Sequence, residues 1–360
     1  MRERLPPVQT HADAAAAFRS AGILPSVLDF YQTPEWFGNL AAACGIGQDA
    51  VMFASSGGLA LPLHSRRSRR GPLAGLEARG LSTFYSCRYS PPGIATAPDP
   101  VRAVRAIGRH LRRTSHTHVR LDALDEADCR QLAQGFRQAG WIAEQFPQFG
   151  NWRIDTDGLT FADYWRQRPG RLRSTGTRRR RALLENGPGR IVRYREPADA
   201  AAAEAAYAHV AARSWQKDEP YPDFLPGLIS YGLQARQLEV WALLAGGQPV
   251  AAQIWVRRRR QATIFKLAFD RAWRRQSAGT VLTMAAMEAA LREGATDRID
   301  FGWGDDEYKR DWLPVRRQRF GLAAYNPRTA FGLYCAARNL GPKVVKQMLA
   351  KSRIKKQTEN

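Results

Sequence analysis

Residues 267–312 read LAFDRAWRRQSAGTVLTMAAMEAALREGATDRIDFGWGDDEYKRDW, and the order of textures within them decides the fold. A strand that begins at Ile264 ends in FKLAFD. An arginine-rich loop follows, then an apolar helix pattern, TVLTMAAMEAALREG, that stops at Gly294. RIDFGWG is a second strand-like run, and it turns through Gly304 straight into three consecutive acids, a tyrosine, a lysine and a tryptophan. Alternation places Ile299, Phe301 and Trp303 on one face of that run and Arg298, Asp300 and Gly302 on the other. Gly302 and Gly304 leave room for a ligand to approach the backbone.

The start of the helix is the first candidate site. Amides in a first helical turn lack intrahelical partners and, with the helix dipole, suit a pyrophosphate. Arg274 and Arg275 would add charge-assisted contacts. The bland alternative is a simple turn with solvated arginines.

Upstream, LEVWALLA, the turn GGQP, VAAQIWVR, a turn at 258–261 and ATIFKLAFD predict a three-stranded meander. The N-terminal half has the same order. A hairpin from Asp49 (VMFASSGG, LALPLHSRR) and a strand LSTFYSCRY precede a helix at 101–113, a strand THVRLDAL, a helix at 126–139 and a strand WIAEQFPQFGNWRID. Sequence identity between the halves is negligible, so only element order recurs. The expected division is 1–158, 159–328, and a C-terminal helix with a basic tail at 329–360. The fold class expected is α/β (α+β), with two lobes that each carry a mixed, mostly antiparallel sheet flanked by helices. At 360 residues the chain exceeds what one core serves.

The net charge is +22, with only 8 lysines among 55 basic residues, so arginine dominates. Such a charge invites a polyanion, although a compositional bias towards arginine also accounts for it. Seven of the fourteen residues from Arg168 to Arg181 are arginine, and the STGT that interrupts them is a poor helix interior, expected in part as loop. No apolar run approaches a membrane span and no signal core opens the chain, so a cytoplasmic protein is expected, with membrane-peripheral contact through the tail from Lys343 as a variant. Four scattered cysteines make neither a disulfide frame nor a zinc site.

Several machines are excluded by motif: GxxxxGK[ST], GxGxxG after a strand, HExxH and GxSxG are all absent. His116 and His118 alternate on one strand face with no third ligand nearby, and the carboxylates of 305–307 splay apart, so no metal site is expected.

The 267–312 segment, with SWQKDEPYPDF (214–224) and GGQPVAAQIWV upstream, resembles the GNAT-type acyltransferases in the branch related to CelD of cellulose biosynthesis. The shared pattern is an aromatic–Asp strand end, a loop ending in Ala–Gly, a helix, a strand with Asp–Phe, then Gly–Asp and Tyr–Lys. It covers 159–325 well and the N-terminal half weakly. The resemblance implies tandem GNAT-like folds and acyl transfer from a coenzyme A thioester (acyl-CoA, acetyl-CoA) to an amine, with no metal. The acceptor implied is a small-molecule or lipid- or sugar-linked amine of the cell envelope, with no obligate protein partner. Fem-type aminoacyl-tRNA-dependent transferases share the two-lobed architecture, which keeps tRNA as an alternative donor. A non-catalytic basic module that binds membrane or nucleic acid is the third reading. The loop RRQSAGT departs from the family's glycine-rich pattern by offering Gly279 alone.

Under this resemblance the donor lies along Leu267, Ala268 and Phe269, whose backbone would hold the oxyanion, and along Arg274, Arg275, Gln276, Ser277, Ala278, Gly279 and Thr280. Asp305 is the expected base, with Asp300 or Glu307 as alternatives. Tyr308 would protonate the leaving sulfur and Lys309 would bind a phosphate or acceptor carboxylate. Trp215, Phe224, Trp303 and Glu307 are the expected acceptor contacts.

Overall fold

The near-continuous apolar runs LEVWALLA and VAAQIWVR, buried on both faces, form paired strands in the computed structural model, which describes residues 4–46, 51–215 and 219–341. Asp49 and the tail from Lys343 lie outside the described residues. The N-terminal half contains β1 (Gln9–His11), α1 (Ala14–Ser20), α2 (Pro34–Ala43), β2 (Val51–Ser56), β3 (Leu59–Arg70), β4 (Leu73–Gly80), α3 (Pro100–Arg113), β5 (His116–Leu124), α4 (Glu126–Gln138) and β6 (Ile142–Asp155). The C-terminal half begins with α5 (Phe161–Arg166), α6 (Gly170–Arg180), β7 (Gly189–Tyr194), α7 (Ala200–Ala211) and α8 (Phe224–Gln234). It continues with β8 (Leu238–Ala245), β9 (Gln248–Arg258), β10 (Gln261–Phe269), α9 (Ala278–Glu293), β11 (Arg298–Asp300), α10 (Glu307–Trp312) and β12 (Val315–Tyr325). Residues 330–341 are helical.

All twelve strands lie in one sheet, ordered β1-β2-β3-β4-β5-β12-β6-β11-β10-β9-β8-β7. Pairing is antiparallel except at β4–β5 and β10–β11, the equivalent places in the two halves. The last strand crosses back: β12 pairs antiparallel with both β5 and β6, and buries Leu322 and Ala324 in the N-terminal core. A second core lies around α9 and β8–β10, and a third joins the halves. In that third core Trp36 of α2 meets Phe224 at 5.8 Å and Phe265 at 6.2 Å between ring centres. Each fully buried ring of this kind stabilises by roughly 2–3 kcal/mol.

Three local expectations are corrected. LSTFYSCRY is not a strand; β4 precedes it, and residues 81–89 form a loop whose Tyr85 ring stacks on Phe224 at 3.8 Å and 6°. Its aromatics serve contact between the halves, not a sheet face. STGT does not open a loop, because α6 runs through it; a Cβ on Gly176 would lie 2.8 Å from the Trp165 ring and 3.4 Å from the Met284 sulfur, so small residues let this helix lie close. RIDFGWG stays in the sheet only to Asp300, after which Gly302 (φ 62°) and Gly304 (φ 101°) take the chain out.

Candidate active site

The site begins where β10 and β11 separate. Their parallel pairing ends at Thr263–Asp300, β10 runs on to Phe269, and the Phe301 amide donates instead to the Trp152 carbonyl at 3.0 Å. Into the resulting cleft open two cavities. One, of about 560 Å³, lies between β10, α6, α10 and the start of α9; the other, of about 290 Å³, lies between β10, the 81–89 loop and the turn after β11. Trp215, Leu267 and Tyr308 line both and form the partition between them.

The larger cavity gathers much of the expected donor surface. Leu267 and Phe269 come from β10, Arg274 from the loop, and Ser277, Ala278, Gly279 and Thr280 from the opening of α9. Ser277 is left-handed (φ 56°) and its side chain makes no capping bond, so the first-turn amides are left to whatever enters. Gly279 has a packing reason as well, since a Cβ there would lie 3.2 Å from Phe269. The basic segment contributes Arg171, with Leu172 and Thr175, from α6. Among the described residues neither Arg171 nor Arg274 has a carboxylate ion-pair partner. Arg168, by contrast, is buried and donates to the Trp312 carbonyl at 2.7 Å. Ala268 is buried in the core on the opposite side of β10, and Arg275 and Gln276 do not line the cavity.

The smaller cavity is aromatic and carries two charge pairs. Phe84, Tyr85, Phe301 and Trp303 line it. Lys266 sits 5.0 Å over the Tyr85 ring and 2.6 Å from Glu219, whose other oxygen accepts from the Tyr85 hydroxyl at 2.6 Å. Burial first, then the hydrogen bond to Glu219 and that group's charge, push the Tyr85 phenol far up, so it remains a donor. Lys309 is buried; its Nζ donates to the Trp303 carbonyl at 2.6 Å and pairs with Asp306 at 3.0 Å. It braces the turn as well as lining the cavity. Tyr308 is 44 % exposed, packs edge-on against Phe301 at 5.8 Å, and has its phenol raised by burial and by the Asp306 charge. It is protonated at neutral pH and faces both cavities.

Other candidates are placed elsewhere. Asp305 lines neither cavity: Arg316 approaches its carboxylate to 2.5 Å and the Trp152 indole donates to it at 2.8 Å. Arg316 first, then Trp152, holds this carboxyl below its ordinary value, the opposite of what a base here requires. Asp300 accepts the Gly302 amide at 2.8 Å and pairs with Arg317 at 3.3 Å, so it closes the turn that ends β11. Glu307 is at the rim of the larger cavity, paired with Arg310 at 2.9 Å. Phe224 is fully buried beneath Tyr85 and Trp36 and is a core residue, not an acceptor contact. Trp215 and Trp303 are exposed on cavity walls.

Lys266, Tyr85 and Cys87 of the smaller cavity, Arg171 of the larger one, and Glu219, which lines neither but binds Tyr85 and Lys266 from behind the wall, are residues that sequence reading did not single out. Glu219 lies within SWQKDEPYPDF, the segment that contributes to the family resemblance and supplies Trp215 and Phe224 as expected acceptor contacts. Lys266 interrupts an otherwise apolar strand, at a bulge between Ile264 and Lys266. A basic residue at such a bulge is the signal that could have found it.

Comparison with known proteins agrees with this geometry. Residues 170–310 match the acetyltransferase (GNAT) domain family, a span that runs from the start of α6 into α10 and supplies most of the lining of the larger cavity. No curated protein matches the chain. Among solved structures, the C-terminal DUF2156 domain of a candidate lysylphosphatidylglycerol synthetase from Agrobacterium fabrum superposes with a TM-score of 0.55 at 15% identity, over 91% of this chain and 97% of that one. FemX does so at 0.56 and 9% identity, over 89% and 97%. A protein of unknown function from Bacteroides thetaiotaomicron gives 0.56 at 12%, over 89% and 100%. At these identities the likeness is one of fold. Residues 170–310 are thus similar to the acetyltransferase (GNAT) domain family, within a mixed α/β fold that resembles that of FemX over most of the chain's length.

Proposed function

We propose that this protein transfers an acyl group from a coenzyme A thioester to a primary amine by direct aminolysis. The observation that carries the reading is the pair of cavities meeting at Tyr308, Leu267 and Trp215, one basic and helix-capped, the other aromatic and backed by the Glu219–Lys266 ion pair. The donor cavity suits a phosphorylated carrier, through α9's first turn, Arg171 and Arg274. Bound there, the thioester supplies an electrophilic carbonyl. The chain's own residues do the rest. Glu219 takes the proton that the amine must lose, the backbone of Leu267–Phe269 polarises the carbonyl, and Tyr308 gives its proton to the departing sulfur as the C–N bond forms and the C–S bond breaks. Glu219 replaces Asp305 in the role of base, because its carboxylate is bound to Tyr85 and Lys266 of the acceptor-cavity wall, whereas Asp305 is held by Arg316 and Trp152, which line neither cavity.

The acceptor cavity's rings suit stacking on the apolar face of a saccharide, which supports an amino sugar or other envelope precursor and fits the resemblance to the cellulose-biosynthesis branch. An aminoacyl-tRNA donor is the second reading, favoured by the fold shared with FemX and with a lysylphosphatidylglycerol synthetase domain, and by the charge of +22. No helix among the described residues is long and apolar enough to cross a membrane. Exposed Arg66, Arg67, Arg69 and Arg70 on the β3–β4 hairpin would serve contact with an acidic membrane surface.

The donor reading is tested by Arg171→Ala and Arg274→Ala. Each removes one charge-assisted contact, about 1.5–3 kcal/mol, and should weaken acetyl-CoA binding roughly 10- to 150-fold. Neither arginine has an ion-pair partner among the described residues, so melting should be unchanged. Calorimetric affinities equal to the unsubstituted protein's would remove the donor cavity from the account.

A further inference from the structure

Beyond Cys87, the one residue it shares with the acceptor cavity, lies a smaller chamber of about 150 Å³. Elements distant in sequence build it: the segment before α2, the 81–89 loop, the start of α4, the β9–β10 hairpin, β11 and β12. Five guanidinium groups and three carboxylates line it.

The carboxylates are already engaged. Arg88 contacts Asp29 and lies 2.7 Å from Asp125, Arg319 also binds Asp125, and Arg317 pairs with Asp300 at 3.3 Å. Positive charge is left over. Among the described residues Arg258 has no carboxylate partner and gives its Nε and Nη2 to the carbonyls of Leu28 and Pro25, at 2.9 and 2.6 Å. Burial would push Asp125 up, yet Arg319, Arg88 and Arg317 outweigh it and hold that carboxyl at about 2.

Polar atoms are left over too. Arg319 is 1 % exposed and its Nε has no hydrogen-bond partner in the protein, while the Tyr31 hydroxyl, 7 % exposed, lies beside Thr263 and Cys87 without a hydrogen bond of good geometry to either. Asp29 is 9 % exposed, and its Oδ1 is an acceptor without a donor. Buried polar groups are nearly always satisfied, by protein, water or ligand. The two donors ask for an anion, and the single acceptor asks for a donor on the same molecule.

We propose that this chamber binds a small oxyanion that carries its own hydrogen-bond donor: hydrogen phosphate, or a carboxylate with a hydroxyl or amine on the adjacent carbon. Its anionic oxygens meet Arg319, Arg258 and Tyr31, and its donor meets Asp29. The site is independent of the acyl-transfer reading, because it holds no residue of the donor cavity and its test needs no turnover.

The test is calorimetric titration of the full chain with inorganic phosphate, glycolate and glycine, with acetate as the control that lacks a donor. At least one of the three should bind saturably and about tenfold more tightly than acetate. Tyr31→Phe should weaken that binding about tenfold; since its hydroxyl makes no well-formed hydrogen bond within the protein, the melting temperature should change little. Arg258→Gln should weaken binding as well, and provides a second variant at the chamber rim. Arg274→Ala, in the larger cavity, should leave it unaltered. The proposal is overturned if none of the three binds saturably, if Tyr31→Phe and Arg258→Gln bind like the unsubstituted protein, or if binding is lost in Arg274→Ala alone.

Discussion

Replacing Glu219 by glutamine separates catalysis from architecture in this site. The carboxylate accepts from the Tyr85 hydroxyl at 2.6 Å and faces Lys266 Nζ at 2.6 Å, with side chains 22% and 18% exposed for the ion pair. Glutamine has nearly the same shape and still accepts from Tyr85, so the structural loss is that of one charge-assisted contact, about 1.5–3 kcal/mol and a few degrees of melting temperature. The catalytic loss should be much larger. Removing a positioned base costs about 10²- to 10⁴-fold in kcat. Tyr85→Phe removes only the hydroxyl and its bond to the same carboxylate, about 1 kcal/mol, and should lower kcat less than tenfold. The assay is initial-rate thiol release from acetyl-CoA with a panel of primary amines, alongside calorimetry for donor affinity, which Glu219→Gln should leave intact. An unchanged kcat in Glu219→Gln, or equal losses in the two variants, would refute the assignment of Glu219 as base.

Gly302→Ala should destabilise the turn after β11, because φ is 62° and a Cβ would lie 2.8 Å from the Cys87 sulfur. Left-handed strain and overpacking together predict about 2–4 kcal/mol in urea unfolding, part of it recovered when Cys87→Ala is added; a loss that Cys87→Ala does not relieve would contradict the contact. Asp125 should make acid stability steeper. Its carboxyl is held at about 2 against an ordinary 3.8, so it contributes about 2 kcal/mol that is present above pH ~4 and lost as pH falls towards 2. Asp125→Asn should flatten the unfolding midpoint across that window; the same slope in both proteins would speak against the shift.

Much of this was legible in the sequence because periodicity and punctuation survive without tertiary context. The meander 238–269, the helix closed by Gly294 and the recurrence of element order all emerged from local pattern. The opening of α9, expected as donor surface, does lie on a cavity wall. What the sequence hid is set by contacts between distant segments. The 81–89 loop has strand-like composition, but its Tyr85 is committed to Phe224 across the molecule. Asp305 stands in an acidic run that invites a catalytic reading, and only the return of β12 shows Arg316 waiting for it. Glu219 becomes conspicuous only once Lys266 and Tyr85 face it. The charged chamber draws on six separate segments, and no spacing along the chain encodes it.

The central claim is that the larger cavity takes a coenzyme A thioester, and thermal shift at physiological salt tests it most directly. A ligand that binds only the native state raises the melting temperature, by about 2.7 kcal/mol of stability at a hundredfold excess over Kd. The account predicts a saturable rise with acetyl-CoA or a longer acyl-CoA that is reduced in Arg171→Ala and Arg274→Ala, with bulk tRNA producing none. Stabilisation by tRNA alone, with every CoA thioester silent, would contradict it and leave the aminoacyl-transfer reading in its place.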